Sequence, residues 1–501
     1  MYKINRQMSI LEFMSPFGKL DPENRWVKIA EMIPWEKYEP EYAKQFCDDN
    51  GAPATPFRMA LGTLIIKQRT GNSDEETLRD IQETPYMQYL IGLEEYTTEP
   101  PFCSSSITNF RKYIPQEMIN RINDEVFNPS KQKTKDKNDD DDNTNVNDSE
   151  NNESGSRSIS PNKGELLLDA TCAPASITYP TDVNLLNEAR EKLEGIIDTL
   201  HKHNRSPKKP RTYRQKARKN YLSFAKNRKP SKNAVRKAVG QQLRYVRRNL
   251  GYIEEQLETG SIDVLSTRQQ AHLETIRTLY AQQEEMYNKR THSVENRIVS
   301  ITQPWVRPIV RGKARSDVEF GAKVSISMIN GYAFVDRIGW KAYSEAGLLK
   351  SCVEAYRKKH GFYPEAVIVD KLYRNRDNRN YCKERGIRIS GPRLGRPSKQ
   401  DISDSKKHKQ QERSDASTRN HVEGKIGETK TCYGLDRVAA KLQSASETVI
   451  SMAFLCANIA RRLRFPLLII WMILAICFLQ VDFFFRKRYQ KICWGFYVDP
   501  M

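Results

Sequence analysis

Between residues 131 and 163 the chain has almost nothing to bury. Lysine, aspartate, asparagine and serine dominate, and Val146 and Ile159 are the only aliphatic side chains. Such a segment cannot repay the entropy of ordering its backbone. The sequence therefore predicts a disordered acidic linker over 131–163, and folding has to happen on either side of it. Its run Asp139–Asp142 reads as solvated charge; the other reading is a decoy that competes with a polyanion for basic surfaces.

The 130 residues ahead of the linker read as an all-α N-terminal domain. Met59, Leu61, Leu64, Ile65 and Ile66 form an apolar cluster, and Ser73-Asp-Glu-Glu76 has the form of a capping box. Ser104–Ser106 precede Ile107, Phe110 and Ile114 at helical spacing, which predicts a serine-capped short helix carrying Arg111 and Lys112. Short capped helices with basic residues suit a helix-turn-helix-like DNA reader. A small bundle with no groove contact fits the pattern equally well.

After the linker the text changes. GELLLDATCAP (164–174) is an apolar run, and 164–182 reads as the first part of a sheet domain. Residues 183–300 then read as a helical insertion: Leu185, Leu186, Ala189, Leu193, Ile196, Ile197 and Leu200 keep one face, and Leu265, Ile276, Leu279 and Met286 another. His272 belongs at the edge of that second stripe. Within the insertion, residues 205–250 hold 17 Lys/Arg and no acidic residue. Strands return in 301–460. Val318–Ile338 alternates around Asn330-Gly331, a hairpin signal, and Ala366–Asp370 is a buried strand. Tyr343–His360 and Val422–Lys441 read as helices, 393–418 as a polar loop. The tail 461–501 contains about 15 consecutive apolar residues at 465–479, short of the roughly 17–25 that a spanning helix needs. A buried or oligomer-forming helix, or an unselected tail, is the expectation there; a membrane anchor is the alternative.

Charge narrows the function. The 501 residues hold 82 Lys/Arg against 62 Asp/Glu, a net charge of +20, which points to a polyanionic partner. Nine cysteines without a C-x-x-C pair argue against a disulfide framework or zinc cluster and for a reducing cytoplasm. The first residues lack the continuous apolar stretch of a secretory signal.

Two aspartates close apolar strands, Asp169 after Leu166–Leu168 and Asp370 after Ala366–Val369, and Glu423 lies near the start of a helix. Three carboxylates brought together repel unless cations compensate them. Mg²⁺ prefers oxygen ligands, and a pair of such ions suits in-line phosphoryl transfer. Singly, a strand-end aspartate is more often a cap or turn residue.

These residues resemble a known family. LLLDATCAPASITYPTDVNLLNEAREKLE (166–194), NRIVSITQPWVRPIVRGKARSDVEFGAKVSISMINGYAF (296–334), VIVDKLYRNRDNRNYCKERGIRISGPRLGRP (367–397) and RNHVEGKIGETKTCYGL (419–435) are similar to DDE transposases of bacterial insertion sequences, in the broad IS-four/IS-five superfamily. The resemblance runs from residue 1 to about 460. It implies an α/β fold: an RNase H-like mixed sheet with flanking helices, a large helical insertion and an all-α N-terminal domain. Asp169, Asp370 and Glu423 take the places of the catalytic and metal-binding triad, 201 and 53 residues apart. The insertion accounts for the longer gap. Around the glutamate the superfamily pattern is Tyr-x2-Arg-x3-Glu-x6-Lys; Arg419, Glu423 and Lys430 match and Ala416 replaces the tyrosine. Glu428 is the rival carboxylate and lacks that frame. Arg419 and Lys430 read as phosphate contacts, or as a solvated helix face. Tyr373, Asn378 and Arg379 follow the second aspartate at family-like positions, shaping the site or touching DNA.

The function so implied is a DNA transposase, cytoplasmic and nucleoid-associated when bound. It would use two Mg²⁺ or Mn²⁺ ions to cut element ends and join a 3′-hydroxyl to target DNA. Its partners would be double-stranded DNA (terminal inverted repeats and target) and a second copy of the chain, with no membrane. Lys208, Lys209, Arg211, Arg214, Lys216, Arg218 and Lys219 of the insertion, with Arg111 and Lys112, are the expected DNA contacts. The interleaved aromatics would stack on bases or simply pack. A catalytically inactive, domesticated DNA-binding protein and a membrane-attached basic protein are the other readings.

Overall fold

The computed structural model describes residues 9–15, 18–47, 53–128, 161–204, 208–258, 262–313, 316–392 and 402–464. All but the last three residues of the expected linker, and the apolar tail from 465 onward, lie outside the described residues.

Among the described residues seven helices come first: α1 (Arg25–Met32), α2 (Trp35–Ala43), α3 (Phe57–Thr70), α4 (Asp74–Glu83), α5 (Pro85–Leu90), α6 (Ser106–Tyr113) and α7 (Gln116–Phe127). The cap expected for α4 is present, with the Ser73 hydroxyl accepting the Glu76 N–H. The one expected for α6 is not. Ser105 already has helical backbone angles, and no side chain caps that helix. Burial of Ile107 and Phe110 sets α6 in place instead.

The chain then enters strand β1 (Glu165–Pro174) and leaves it for α8 (Asp182–Asn204), α9 (Arg214–Ala225), α10 (Lys232–Glu258) and α11 (Thr267–Lys289). These four helices fall within 182–300, and they close on a core of their own. Leu186, Leu193 and Ile197 of α8 meet Val246 and Ile253 of α10 and Leu273 and Ile276 of α11. His272 sits half-buried at the edge of that core. Burial, with Lys192 and Arg268 nearby, lowers its pKa to about 4, so it is neutral at pH 7.

The remaining elements are β2 (Arg307–Lys313), β3 (Ser316–Ile329), β4 (Tyr332–Gly339), α12 (Leu349–His360), β5 (Ala366–Ile368), α13 (Arg376–Glu384), β6 (Arg388–Ile389) and α14 (Ile402–Cys432), then α15 over 443–464. The six strands of the described residues form one mixed sheet. β1 runs antiparallel to β3 and parallel to β5, and β5 is parallel to β6. On its other edge β3 carries β2 and β4 in succession: Gly321 pairs with Pro174 and Arg307, and Val324 with Thr171 and Ile338. The hairpin forms as the sequence predicts. Asn330 and Gly331 have φ of 53° and 81°, the left-handed pair of a two-residue turn, and Ile329 faces Tyr332 across it.

Two sequence expectations shift. Residues 402–418 are not a loop but the first half of the 31-residue helix α14. The polar run hid that helix because it lacks an apolar stripe. At the other end α14 stops at Cys432 rather than Lys441. Gly434 adopts φ 64°, and the N–H groups of Tyr433 and Leu435 both turn back to the Thr429 carbonyl at 3.2 Å, a helix-ending arrangement that glycine permits.

The N-terminal helices and the sheet share one continuous core. α15 joins them: Ile450, Met452, Ala453, Phe454, Leu455, Cys456, Ala457 and Ile459 are all buried, and a helix apolar on every side belongs in the middle of a fold. The Asn458 amide donates to Asn123 of α7 at 2.9 Å and to the Ala333 carbonyl of β4 at 2.7 Å, and accepts the Ala333 N–H at 3.0 Å. Among the described residues, no helix is long and apolar enough to cross a membrane.

Candidate active site

Parallel pairing of β1 with β5 places the first two carboxylates. Leu167 is in register with Ile368, so two residues further along each chain Asp169 and Asp370 come side by side. Asp169 does not end its strand, as the sequence suggested. β1 continues to Pro174 because β3 pairs with it as far as Gly321. It is β5 that stops, after Ile368, and its end opens the sheet edge beside Asp169.

The third carboxylate arrives on α14, which packs on β1 and β5. Arg419 links it to the second: one guanidinium nitrogen lies 3.2 Å from Asp370 Oδ1 and the other 3.4 Å from Glu423 Oε1. Asp370 also accepts the Lys371 N–H at 2.6 Å, and Asp169 the Ala170 N–H at 2.7 Å. Burial raises the pKa of Asp169 above the usual carboxylate range. The Ala170 N–H and Arg419 oppose that shift, while Glu345 and Glu423 add to it. Arg419 thus touches two of the carboxylates and bears on the charge of the third, Asp169.

Among the described residues, no group of three or more His, Cys, Asp or Glu stands ready-made to hold a metal ion; the Arg419 guanidinium lies between Asp370 and Glu423. The donors nevertheless suit a hard divalent cation. All are carboxylate oxygens. Arg419, Asp370 and Glu423 are 36%, 37% and 57% exposed, and bridges that open are worth no more than about 1 kcal/mol. A divalent ion would outcompete them.

The other expected residues are placed as follows. Tyr373 is buried, at 1% exposure, and burial pushes its phenol above the ordinary range. It packs beneath the turn after Asp370, a position that suits shaping the site better than touching DNA. Asn378 is buried too, and its amide donates to the Ala346 and Tyr373 carbonyls at 2.8 Å. Arg379 is half-exposed on α13. Lys430 lies half-buried on α14, two turns beyond Glu423. Glu428 is not brought to the site. Five residues past Glu423 on a helix it points elsewhere, and it pairs with Lys425 at 3.2 Å and with Arg464.

In the N-terminal part, Arg111 is 15% exposed and paired with Asp74 at 2.6 Å; Lys112 is exposed beside the Tyr113 ring. On the insertion, Lys208, Arg211, Lys216, Arg218 and Lys219 are exposed. Lys209 and Arg214 are held by Asp198, at 2.7 and 2.8 Å. Sequence reasoning missed Glu345, the carboxylate beyond the triad that acts on Asp169. It pairs with Lys323 at 2.7 Å and is 16% exposed. It lies in a stretch that reads as an ordinary helix, and no motif marks it.

A family model described as a transposase DDE domain matches residues 367–460, the stretch that carries Asp370 and Glu423. A second, described as Transposase domain (DUF772), matches residues 15–113, which end with α6. An uncharacterised protein of Rhizobium meliloti, ORF8 in the nfe locus, is 27% identical over 176 residues, 35% of this chain and 73% of that protein. No solved structure matches. One transposase domain model over the helices before the sheet and another over β5, β6 and the helices that follow them, with Asp370 and Glu423, support a DDE transposase of an insertion element.

Proposed function

We propose that this protein cuts DNA at the ends of its element and joins the freed 3′-hydroxyl to target DNA, working as a homodimer on an RNase H-like sheet. The register that sets Asp169 beside Asp370, with Glu423 tied in through Arg419, carries the reading. The strand arrangement supports it: β4, β3 and β1 are antiparallel neighbours, followed by parallel β5 and β6. Asp169, Asp370 and Glu423 would hold two divalent cations, Mg²⁺ or Mn²⁺, whose chemistry is to activate the attacking oxygen and stabilise the leaving one. Arg419, released from its carboxylates, is in place to take a DNA phosphate, and the buried Tyr373 and Asn378 keep the Asp370 turn rigid. No side-chain nucleophile is needed.

The direct test is to incubate the purified full chain with a duplex from the DNA flanking its reading frame, with Mg²⁺ or with a chelator. Metal-dependent cutting that leaves a 3′-hydroxyl, followed by joining to a second duplex, is the expected outcome. Tight binding without any cutting would instead favour the inactive DNA-binding reading.

The exposed lysines and arginines of the insertion should supply much of the DNA affinity. Replacing Lys208, Arg211, Lys216, Arg218 and Lys219 together by glutamine should flatten the salt dependence of binding by about one unit of slope per lost phosphate contact. Lys209→Gln with Arg214→Gln should change it less, because Asp198 already holds both side chains. Equal slopes for wild type and the five-fold variant would remove the insertion from the interface.

A further inference from the structure

The turn after Asp370 carries a leucine that the fold does not use. Leu372 is 69% exposed, while its neighbour Tyr373 is buried. Isolated exposed apolar side chains are common and mean nothing by themselves. Three features set this one apart. It lies two residues from a carboxylate of the site. Its surroundings are basic, with Lys371, Arg374, Arg376 and Arg379 in the same short stretch.

The third feature is that its turn is pinned from several directions. Asp370 accepts the Lys371 N–H at 2.6 Å, and the Tyr373 and Arg374 N–H groups close the turn at 3.1 Å onto the Asp370 and Lys371 carbonyls. The Asn378 amide holds the Tyr373 carbonyl at 2.8 Å, and the Arg374 guanidinium holds the Pro392 carbonyl at 2.5 Å. Leu372 is therefore a rigid apolar point on a basic surface beside the carboxylates.

Apolar side chains presented in this way enter DNA between base steps, and burial of the side chain offsets part of the cost of unstacking. We propose that Leu372 is a wedge that enters the duplex next to the phosphodiester being cut, unstacks the adjoining base pair and so positions the strand over Asp169, Asp370 and Glu423. The inference rests on the reading of this site as a DNA-cutting one. Leu372 touches no reacting atom; it is a positioning residue.

The test uses the full chain and two forms of the flanking-DNA duplex, one fully paired and one mismatched at the junction where wild type cuts, each with 2-aminopurine beside that junction. Leu372→Ala should cut the paired duplex about tenfold more slowly than wild type, with Leu372→Met close to wild type. On the mismatched duplex the alanine variant should recover, because the unstacking is already done. The 2-aminopurine fluorescence should rise when wild type binds and stay flat for Leu372→Ala at equal DNA occupancy. Equal rates on the paired duplex would overturn the wedge and leave the site reading intact. A variant slow on both duplexes would also overturn it, since that is how a merely structural residue behaves. Wild type that cuts neither duplex would overturn the site reading and the wedge together.

Discussion

Asp370→Asn is expected to abolish strand cutting, lowering the rate by at least about a thousandfold while DNA affinity changes by less than about threefold. The amide keeps the shape of the side chain and its place beside Asp169 but loses the charge that would hold a cation. Asp169→Asn and Glu423→Gln should do the same for the same reason, whereas Glu428→Gln should cut at close to the wild-type rate because Lys425 and Arg464 hold that carboxylate elsewhere. Cutting retained by any one of the first three would remove that residue from the site.

A misfolded protein would also fail to cut, and Asp169 provides the control. Burial raises its pKa in the folded chain above the unfolded value, so the folded state binds the extra proton. The ionised side chain then opposes folding, a penalty absent below the unfolded pKa and fully present once pH has risen past the folded one. At neutral pH and without divalent ions, Asp169→Asn should melt no lower than wild type, and thermal unfolding by fluorescence checks it. A variant that is inactive yet at least as stable marks a residue that the fold would do without.

How much of this was legible in the sequence depends on whether the signal was local. The turn at Asn330-Gly331 was readable because two left-handed residues between alternating strands admit few conformations. The buried faces of α8 and α11 were readable from helical spacing. Asp169 was singled out as the end of a strand that in fact runs on to Pro174. Its position is set by where β5 stops, and partner-strand length is not written beside Asp169. The first half of α14 was missed because nothing apolar marks a helix face there. Glu345 was missed for a harder reason: its influence on Asp169 exists only after β1 and the turn before α12 come together.

The same limit governs the N-terminal helices, which the sequence sets apart behind a polar stretch as a unit able to stand alone. A fragment ending at Asn128 is now expected not to fold by itself. Its apolar side chains belong to the same core as β1, β3, β4 and α15, and α15 supplies polar contacts that nothing within 1–128 replaces. Thr448 donates its hydroxyl to the Ile114 carbonyl at 3.1 Å, and Asn458 meets Asn123 at 2.9 Å. From the neighbouring segment, the Tyr433 carbonyl accepts the Gln68 amide at 2.6 Å. Cutting the chain before β1 exposes this face to water at about 25 cal/mol per Å² of apolar area, and it leaves buried polar groups without partners at about 1–3 kcal/mol each. Against a total stability of about 5–15 kcal/mol for an ordinary domain, those losses are enough to unfold the fragment. Within the intact chain, Asn458→Ala should lower the unfolding free energy by about 3 kcal/mol, because it strands the Asn123 side-chain oxygen and the Ala333 N–H at once. Heteronuclear spectra of the fragment should show collapsed amide dispersion, and denaturant unfolding of the full chain should report the N-terminal tryptophans Trp26 and Trp35 together with Trp340 beside the sheet in one transition. A fragment with dispersed, protected amides would show instead that the helices hold themselves together and only dock against α15.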